Sequence, residues 1–264
     1  MKIAITVTVF FIITSYQARA DMFDMVNMPD KEVLTYRFIY KGIDISRPAL
    51  KPFGIRYTSG EAAVGAEYSI KRADNDPARP LEVVVSVLSQ NRYTIRNYFK
   101  FKPGSKMALV YYEKTVFTPS GKKIRTEAYD YTESIPAFPA EMAHPLMLPL
   151  AFRGMDFKPG KSREFYLWLN PMLIMTMKVV VKGEEDVPVP AGTIRCYRLE
   201  MEPDMRDLGG EIIARVLKPF APKYIFWLDK KVPHSMVKYQ GPFGQINIAA
   251  APTEIYELVK VSNY

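Results

Sequence analysis

A period of two in the apolar residues runs through most of this chain and limits the fold more than any other feature does. In one early segment Leu34, Tyr36 and Phe38 alternate with Thr35 and Arg37. Because successive side chains of a β-strand point to opposite faces of a sheet, this alternation predicts strands with one buried face. About ten or eleven such segments follow one another and predict a mainly β protein with minor helix. We expect one strongly curved antiparallel sheet or two packed sheets.

Turn residues between the alternating segments predict hairpins. Residues 119–122 (Pro-Ser-Gly-Lys) separate apolar runs at 107–117 and 124–131. Residues 229–233 (Asp-Lys-Lys-Val-Pro) separate two further runs. Pro, Gly, Asp and Ser favour tight turns, so each of these pairs is expected to form neighbouring antiparallel strands. The acidic residues 184–186 are interpreted as a solvent-exposed turn.

Two segments depart from the alternation. Residues 141–153 are apolar and are interrupted by Pro145 and Pro149, which predicts a short broken helix or an apolar loop. Residues 204–220 carry apolar residues at helical spacing and end in a Pro-containing segment, which predicts one amphipathic helix packed on the sheet.

The N-terminus has the pattern of a signal peptide. Lys2 precedes about 14 uncharged, mostly apolar residues, and Ala18 and Ala20 form a small-x-small cleavage pattern. A membrane-spanning helix needs roughly 20 apolar residues, so cleavage after Ala20 is favoured over an uncleaved membrane anchor. We therefore expect a signal peptide at 1–20, a single domain at 21–264, and a periplasmic or secreted protein with no transmembrane segment after cleavage.

The residue types that carry chemistry are sparse. The only histidines, His144 and His234, lie far apart, and neither has a nearby ligand at metal-binding spacing. We find no phosphate-binding loop, dinucleotide-binding pattern or nucleophile elbow. The prediction is a non-enzymatic protein without metal or cofactor. The single cysteine, Cys196, excludes an internal disulfide and is expected to be buried.

Apolar residues in and after the 141–153 segment exceed what one strand pattern needs. Flexible Met and bulky Leu side chains suit an adaptable apolar binding surface, although an ordinary core would also use them. A curved sheet covered by a helix can enclose such a surface. The candidate lining residues are Leu146, Leu148, Leu150, Phe152, Trp168, Met175, Met177 and Trp227.

Positive charge is spread thinly along the chain. The formal net charge is +8, and loss of Lys2 and Arg19 leaves 36 − 2 = 34 basic against 28 acidic residues, a net +6. Arg92, Arg96 and Lys100 alternate with apolar residues and form a candidate basic strand face. Such a face suits an anionic envelope polymer or a protein partner, or is simply solvated. A nucleic-acid partner is not expected for an exported chain.

Three stretches carry a family resemblance: residues 143–146 (Ala-His-Pro-Leu), 181–193 with its Gly-Glu-Glu and Pro-Ala-Gly-Thr elements, and 226–233 with Phe-Trp-Leu-Asp and Val-Pro. Their order resembles a widespread family of exported bacterial proteins of unknown function, distantly similar to the periplasmic lipoprotein carriers. The resemblance implies a curved sheet or half-barrel wrapped around one or two helices, with a hydrophobic cavity and no established catalytic residues. His144 departs from the family, which more often has Asp there.

The sequence thus favours a soluble periplasmic binding or carrier protein for an acyl-chain-bearing envelope component, with a lipid or lipidated ligand. Burial would supply the affinity at about 0.8 kcal/mol per CH₂ group. The alternative is an envelope structural or interaction protein that uses the basic strand face. A less favoured alternative is an enzyme acting on envelope lipid or glycan.

Overall fold

The computed structural model describes residues 22–23, 25–41, 63–72, 78–89, 92–104, 106–132, 142–170, 173–208, 210–242 and 253–262. The predicted signal peptide at 1–20 lies outside these residues. Thirteen strands are present within them: β1 (Lys31–Lys41), β2 (Ala63–Arg72), β3 (Leu81–Ser89), β4 (Thr94–Phe101), β5 (Leu109–Phe117), β6 (Lys123–Asp130), β7 (Met142–Ala143), β8 (Ser162–Asn170), β9 (Leu173–Val189), β10 (Gly192–Pro203), β11 (Tyr224–Asp229), β12 (Met236–Pro242) and β13 (Thr253–Ser262).

All thirteen strands belong to one sheet, in the order β6-β5-β4-β3-β2-β1-β13-β12-β11-β10-β9-β8-β7. Neighbours are antiparallel except for β7 and β8, which are parallel. The last strand, β13, pairs with β1 and so joins the two halves of the chain. The predicted mainly β fold with a single large sheet is confirmed. The strand count exceeds the predicted ten or eleven in part because β7 has only two residues, too few to show a period.

The sheet curves until its two ends approach each other. Tyr129 of β6 and Trp168 of β8 have ring centroids 6.0 Å apart, although these strands stand near opposite ends of the order. Among the described strands, β6 and β7 do not pair with each other, so the sheet stays open. One face of the sheet therefore points inward, and the large side chains that alternate along each strand pack together on that side.

A short, broken helical segment occupies the inner side of the sheet, and we call residues 145–154 the inner plug. It consists of a 3₁₀ turn (Pro145–Met147), α1 (Leu148–Ala151) and a second 3₁₀ turn (Phe152–Gly154). Pro145 and Pro149 stand at first-turn positions, where a missing N–H costs nothing. The prediction of a short broken helix is confirmed. Leu150 and Phe152 are fully buried, and the Phe152 ring contacts Phe165 and Phe226.

The residues that follow the predicted cleavage site also enter the interior. Met22 and Phe23 are buried, and the Phe23 ring lies 6.3 Å from that of Phe165. The side chain of Asn27 donates a hydrogen bond to the carbonyl of Arg153 at 2.7 Å. This segment therefore packs beside the inner plug.

The second helical segment lies on the opposite, outer face of the sheet. It comprises a 3₁₀ turn (Met205–Leu208), α2 (Gly210–Leu217) and another 3₁₀ turn (Lys218–Phe220). Gly210 has a φ of 79°, a conformation that favours glycine and separates the first turn from α2. The predicted single helix over 204–220 is thus three pieces. Ile212 and Val216 of α2 are 83% and 65% exposed, so these two apolar side chains are not packed on the sheet.

Candidate functional site

The structure gathers most of the predicted lining residues on the inner side. Leu148, Leu150 and Phe152 are buried in the inner plug, and Met177 of β9 is buried beneath it. Leu146, Met175 and Trp168 lie at the margin of this core, the first two half-buried and the third buried. These residues form part of one continuous apolar cluster.

Trp227 lies apart from the other lining residues. Its neighbour in β11, Phe226, contacts the inner plug, so Trp227 points to the outer face. There its indole N–H donates to Glu185, and the Lys238 ammonium lies 5.9 Å from its ring centroid. Trp227 is therefore buried by charged outer-face neighbours and does not contribute to the inner surface.

A small hollow remains beside the first turn of the inner plug. Its volume is about 10 Å³, close to what one water molecule requires. Its walls combine aromatic, Met and small side chains: Phe23, Phe101, Met107, Leu109, Met142, Ala143, His144, Met147 and Ala151. The predicted hydrophobic cavity is therefore mostly filled by the protein's own plug.

His144 connects this hollow to the gap between the sheet ends. Its Nδ1 accepts a hydrogen bond from the Leu146 amide at 3.2 Å and so caps the first turn of the plug. Its ring lies 5.0 Å from Phe99 and 5.5 Å from Trp168. Burial, together with the charge of Lys114, lowers the pKa of His144 to about 3. The imidazole is therefore neutral at physiological pH, with its proton on Nε2.

Four further aromatic rings pack across the gap between the ends of the sheet. Tyr112 of β5, Tyr129 of β6 and the following Tyr131 all lie within 6.3 Å of the Trp168 ring on β8. We call these four residues the aromatic seam. Burial raises the pKa of Tyr131 to about 12, so its hydroxyl stays protonated. The seam joins the sheet ends through side chains.

A buried ion pair fixes the end of the inner plug to the sheet. The Nη2 atom of Arg153 lies 2.6 Å from the Glu32 carboxylate of β1. The Ser235 hydroxyl donates a hydrogen bond to the same carboxylate at 2.7 Å. Arg153 and Glu32 are at most 1% exposed. The Nε and Nη1 atoms of Arg153 have no hydrogen-bond partner among the described residues. The pairing thus stabilises one plug position while leaving donors unsatisfied, which is costly in a buried site.

The sequence indicated neither residue as a site residue. Glu32 has the same phase in β1 as the inward-facing Leu34 and Tyr36. A charged residue in an apolar phase is the signal that could have identified it. Glu254 shows the same signal in β13, where it shares the phase of Tyr256 and Leu258.

The predicted basic face is mixed in charge. Arg92 and Arg96 are exposed and Lys100 is half-buried. Lys100 stands opposite Glu82 of β3 in the sheet register. The acidic residues 184–186, predicted to form a turn, instead lie within β9, where Glu184 accepts a hydrogen bond from Lys230 at 2.7 Å. That interpretation was wrong because the strand of 17 residues continues through a glycine and three acids.

Other chemistry is limited in the described part of the chain. No group of three or more His, Cys, Asp or Glu side chains is placed there to hold a metal ion. Cys196 is buried, and burial raises the pKa of its thiol to about 12, so it is an unreactive core residue. None of the described helices has the length and apolar character needed to cross a membrane.

Solved structures provide distant matches. A β-barrel-like protein of domain of unknown function DUF1849 from Brucella abortus matches with 11% identity and a TM-score of 0.47, over 89% of this chain and 98% of that one. The lipoprotein LppX from Mycobacterium tuberculosis matches with 9% identity and a TM-score of 0.31, over 87% and 84% of the two chains. The hypothetical lipoprotein YmcC from Escherichia coli matches with 11% identity and a TM-score of 0.30, over 89% and 86%.

No protein-family model and no curated protein matches the chain. The matched structures are an uncharacterised domain and lipoproteins, which agrees with the resemblance drawn from the sequence.

Proposed function

We propose that this protein is an exported, non-enzymatic binding or carrier protein for an acyl-chain-bearing component of the cell envelope. The observation that carries the proposal is the inner plug. It places Leu148, Leu150 and Phe152 on the inner face of an open, curved sheet, in the volume that an acyl chain would take. Apolar ligands bind in concave, apolar sites of this kind.

The ligand would replace the plug, because the hollow of about 10 Å³ is too small for an acyl chain. The plug is suited to exchange: it is short, it contains two prolines, and Met142 and Met155, which lie outside it, are buried beside it. Met side chains adapt to irregular volumes and would line a new occupant as readily as the plug. Burial at about 0.8 kcal/mol per CH₂ would offset the lost plug contacts.

The Arg153–Glu32 pair would hold the C-terminal end of the plug while residues 145–152 move. His144 stands at the other end of the plug, against Trp168 of the aromatic seam. A chain entering between the sheet ends would therefore meet Trp168 first and Phe152 last. The fluorescence of Trp168 would therefore report whether a ligand occupies the inner side of the sheet.

The test is fluorescence quenching by a fatty acid brominated in the middle of its chain. Bromine quenches only an indole that it approaches closely. The variant Trp227→Phe retains Trp168 on the inner side, and Trp168→Phe retains Trp227 on the outer face. We expect strong, saturable quenching in the Trp227→Phe variant and none in the Trp168→Phe variant.

The two variants are matched controls, since each carries one tryptophan and the same substitution. Equal quenching in both would indicate nonspecific surface binding and would refute the proposal. Absence of quenching in both would refute it as well, provided that near-ultraviolet circular dichroism shows both variants to be folded.

A further inference from the structure

A second inward-facing cluster lies away from the inner plug, around the carboxylate of Glu254 in β13. Tyr256 follows two residues later on the same face and donates a hydrogen bond from its hydroxyl to this carboxylate. The Tyr256 ring contacts Tyr239 of β12 at 4.9 Å and stacks on Phe38 of β1 at 3.9 Å. Glu254 therefore lies in an aromatic part of the interior.

Two more tyrosines complete the surroundings. Tyr224 of β11 and Tyr68 of β2 are close enough for the Glu254 charge to raise the pKa of each hydroxyl, after the larger effect of burial. We call Tyr68, Tyr224, Tyr239 and Tyr256 the tyrosine cage.

Gly241 shapes the cage. It is the register partner of Glu254 on β12, and a Cβ atom there would overlap the Tyr239 hydroxyl and lie 3.1 Å from Cδ1 of Tyr224. Only glycine lets both rings cross the strand at this point. The two tyrosines are thereby held beside the carboxylate.

The carboxylate has no cationic partner among the described residues. Its one hydrogen bond with them comes from Tyr256, and no Lys or Arg of the described chain pairs with it. A nearby acid differs in this respect: Glu257, three residues later but on the outer face, lies 2.7 Å from Arg37 and 3.0 Å from Lys238. A carboxyl group without a cationic partner in such a cluster is costly to ionise, and burial accordingly raises the pKa of Glu254.

We propose that Glu254 and the tyrosine cage bind a compact organic ammonium cation. The carboxylate would serve as counter-ion, and the tyrosine rings would offer their electron-rich faces, the arrangement that suits alkylammonium groups. A divalent metal is not favoured, because it requires several oxygen ligands and the cage provides one carboxylate.

The source of the ammonium group is either a lipid headgroup or a free amine. The first source deepens the proposed function and rests on it, because the rings of Phe152, Phe226, Tyr239 and Tyr256 form a continuous series of contacts from the inner plug to Glu254. An acyl chain in place of the plug would then carry its amine toward the cage. The second source needs no acyl site.

The test measures choline and ethylammonium binding to the purified full chain by saturation-transfer NMR and calorimetry at pH 8. We expect millimolar or tighter affinity for choline and at least about tenfold weaker binding of its uncharged analogue 3,3-dimethylbutan-1-ol. The Glu254→Gln variant should lose choline binding by about tenfold or more. The Glu67→Gln variant, with the same charge change on an exposed residue of β2, should retain it.

A pH series on the unmodified protein gives a readout that needs no variant. Burial raises the pKa of Glu254 to about 7. The facing tyrosines, whose pKa values are all raised, stay neutral in this range. Choline affinity should therefore fall about tenfold per pH unit below 7, as Glu254 takes up its proton.

Equal binding of choline and its neutral analogue, or unchanged binding in Glu254→Gln, would overturn the proposal. To separate the two sources, binding of dioleoylphosphatidylethanolamine is compared with that of dioleoylphosphatidylglycerol. A preference for the amine lipid that Glu254→Gln removes identifies a headgroup site, and choline binding without that preference identifies a free-amine site. Choline binding does not depend on bromolipid quenching, so either result can fail without the other.

Discussion

The two faces of the sheet differ in how their charged side chains are paired and solvated. On the outer face, acids and bases alternate between strands and pair, as in Arg198–Glu200 at 2.7 Å and Lys182–Glu200 at 3.4 Å. On the inner face, the described ionisable groups lie apart from one another and include the Arg153–Glu32 pair, neutral His144, and Glu254, which has no cationic partner among the described residues. Arg153 and Glu32 are fully buried and His144 and Glu254 are half-buried, so solvent shields these groups less than it shields the outer pairs.

The difference shows where binding chemistry is concentrated in this fold. Outer pairs are exchangeable with water and contribute little to stability or specificity. Arg153, with its partner Glu32, and His144 contact the inner plug, and Glu254 contacts the tyrosine cage. Equivalent substitutions on the two faces measure this contrast directly.

The largest effect is expected for Arg153→Met. It leaves the Glu32 carboxylate buried without its counter-ion, so the free energy of unfolding should fall by about 3–5 kcal/mol. Urea unfolding followed by circular dichroism measures the change. The double variant Glu32→Leu with Arg153→Met should recover much of the loss, because it removes both charges. A loss below about 1 kcal/mol for the single variant would contradict a structural role for the pair.

An intermediate effect is expected for the pH dependence of stability around Glu254. Burial raises its pKa from 4.5 to about 7, so the folded state holds this proton more tightly than the unfolded state does. The stabilisation is complete below pH 4.5 and is lost as pH rises to about 7, by at most about 3 kcal/mol.

His144 acts in the opposite direction, because its lowered pKa removes stability as pH falls below its usual value of 6.5. The measurement is therefore the difference between the unmodified protein and Glu254→Gln across the pH range. The variant should be relatively more stable at pH 8 than at pH 4.5. Parallel pH profiles would show that Glu254 titrates normally.

The smallest effect is expected for Arg198→Met, the outer-face equivalent of the first substitution. Its partner Glu200 keeps contact with Lys182 and with solvent, so the free energy of unfolding should fall by less than about 1 kcal/mol. Added salt should reduce this difference further. A loss as large as that of Arg153→Met would mean that the two faces do not differ in the way described.

Local patterns in the sequence were sufficient for most of the strands and for the hairpins predicted at 119–122 and 229–233, and they offered the broken helix with its two prolines as one of two alternatives. They could not show which face of the sheet each helical segment occupies, because that depends on pairing between strands far apart in sequence. Arg153 and Glu32 meet across 121 residues, and no local pattern indicates such a contact. Trp227 and Phe226 are adjacent in β11 and so point to opposite faces, but because both are apolar the local pattern does not show which of them faces inward.

The aromatic seam sets how the circumference of this protein can change. A closed barrel has a fixed girth, because widening it would break a ladder of backbone hydrogen bonds. Here, among the described residues, the rings of the aromatic seam make contacts between the two ends of the sheet order, and each ring contact contributes roughly 0.5–1.5 kcal/mol. Rotation of the side chains of Tyr112, Tyr129, Tyr131 and Trp168 would therefore widen the gap between the sheet ends without breaking any strand pairing. The circumference of the sheet therefore depends on the side-chain rotamers of these four residues.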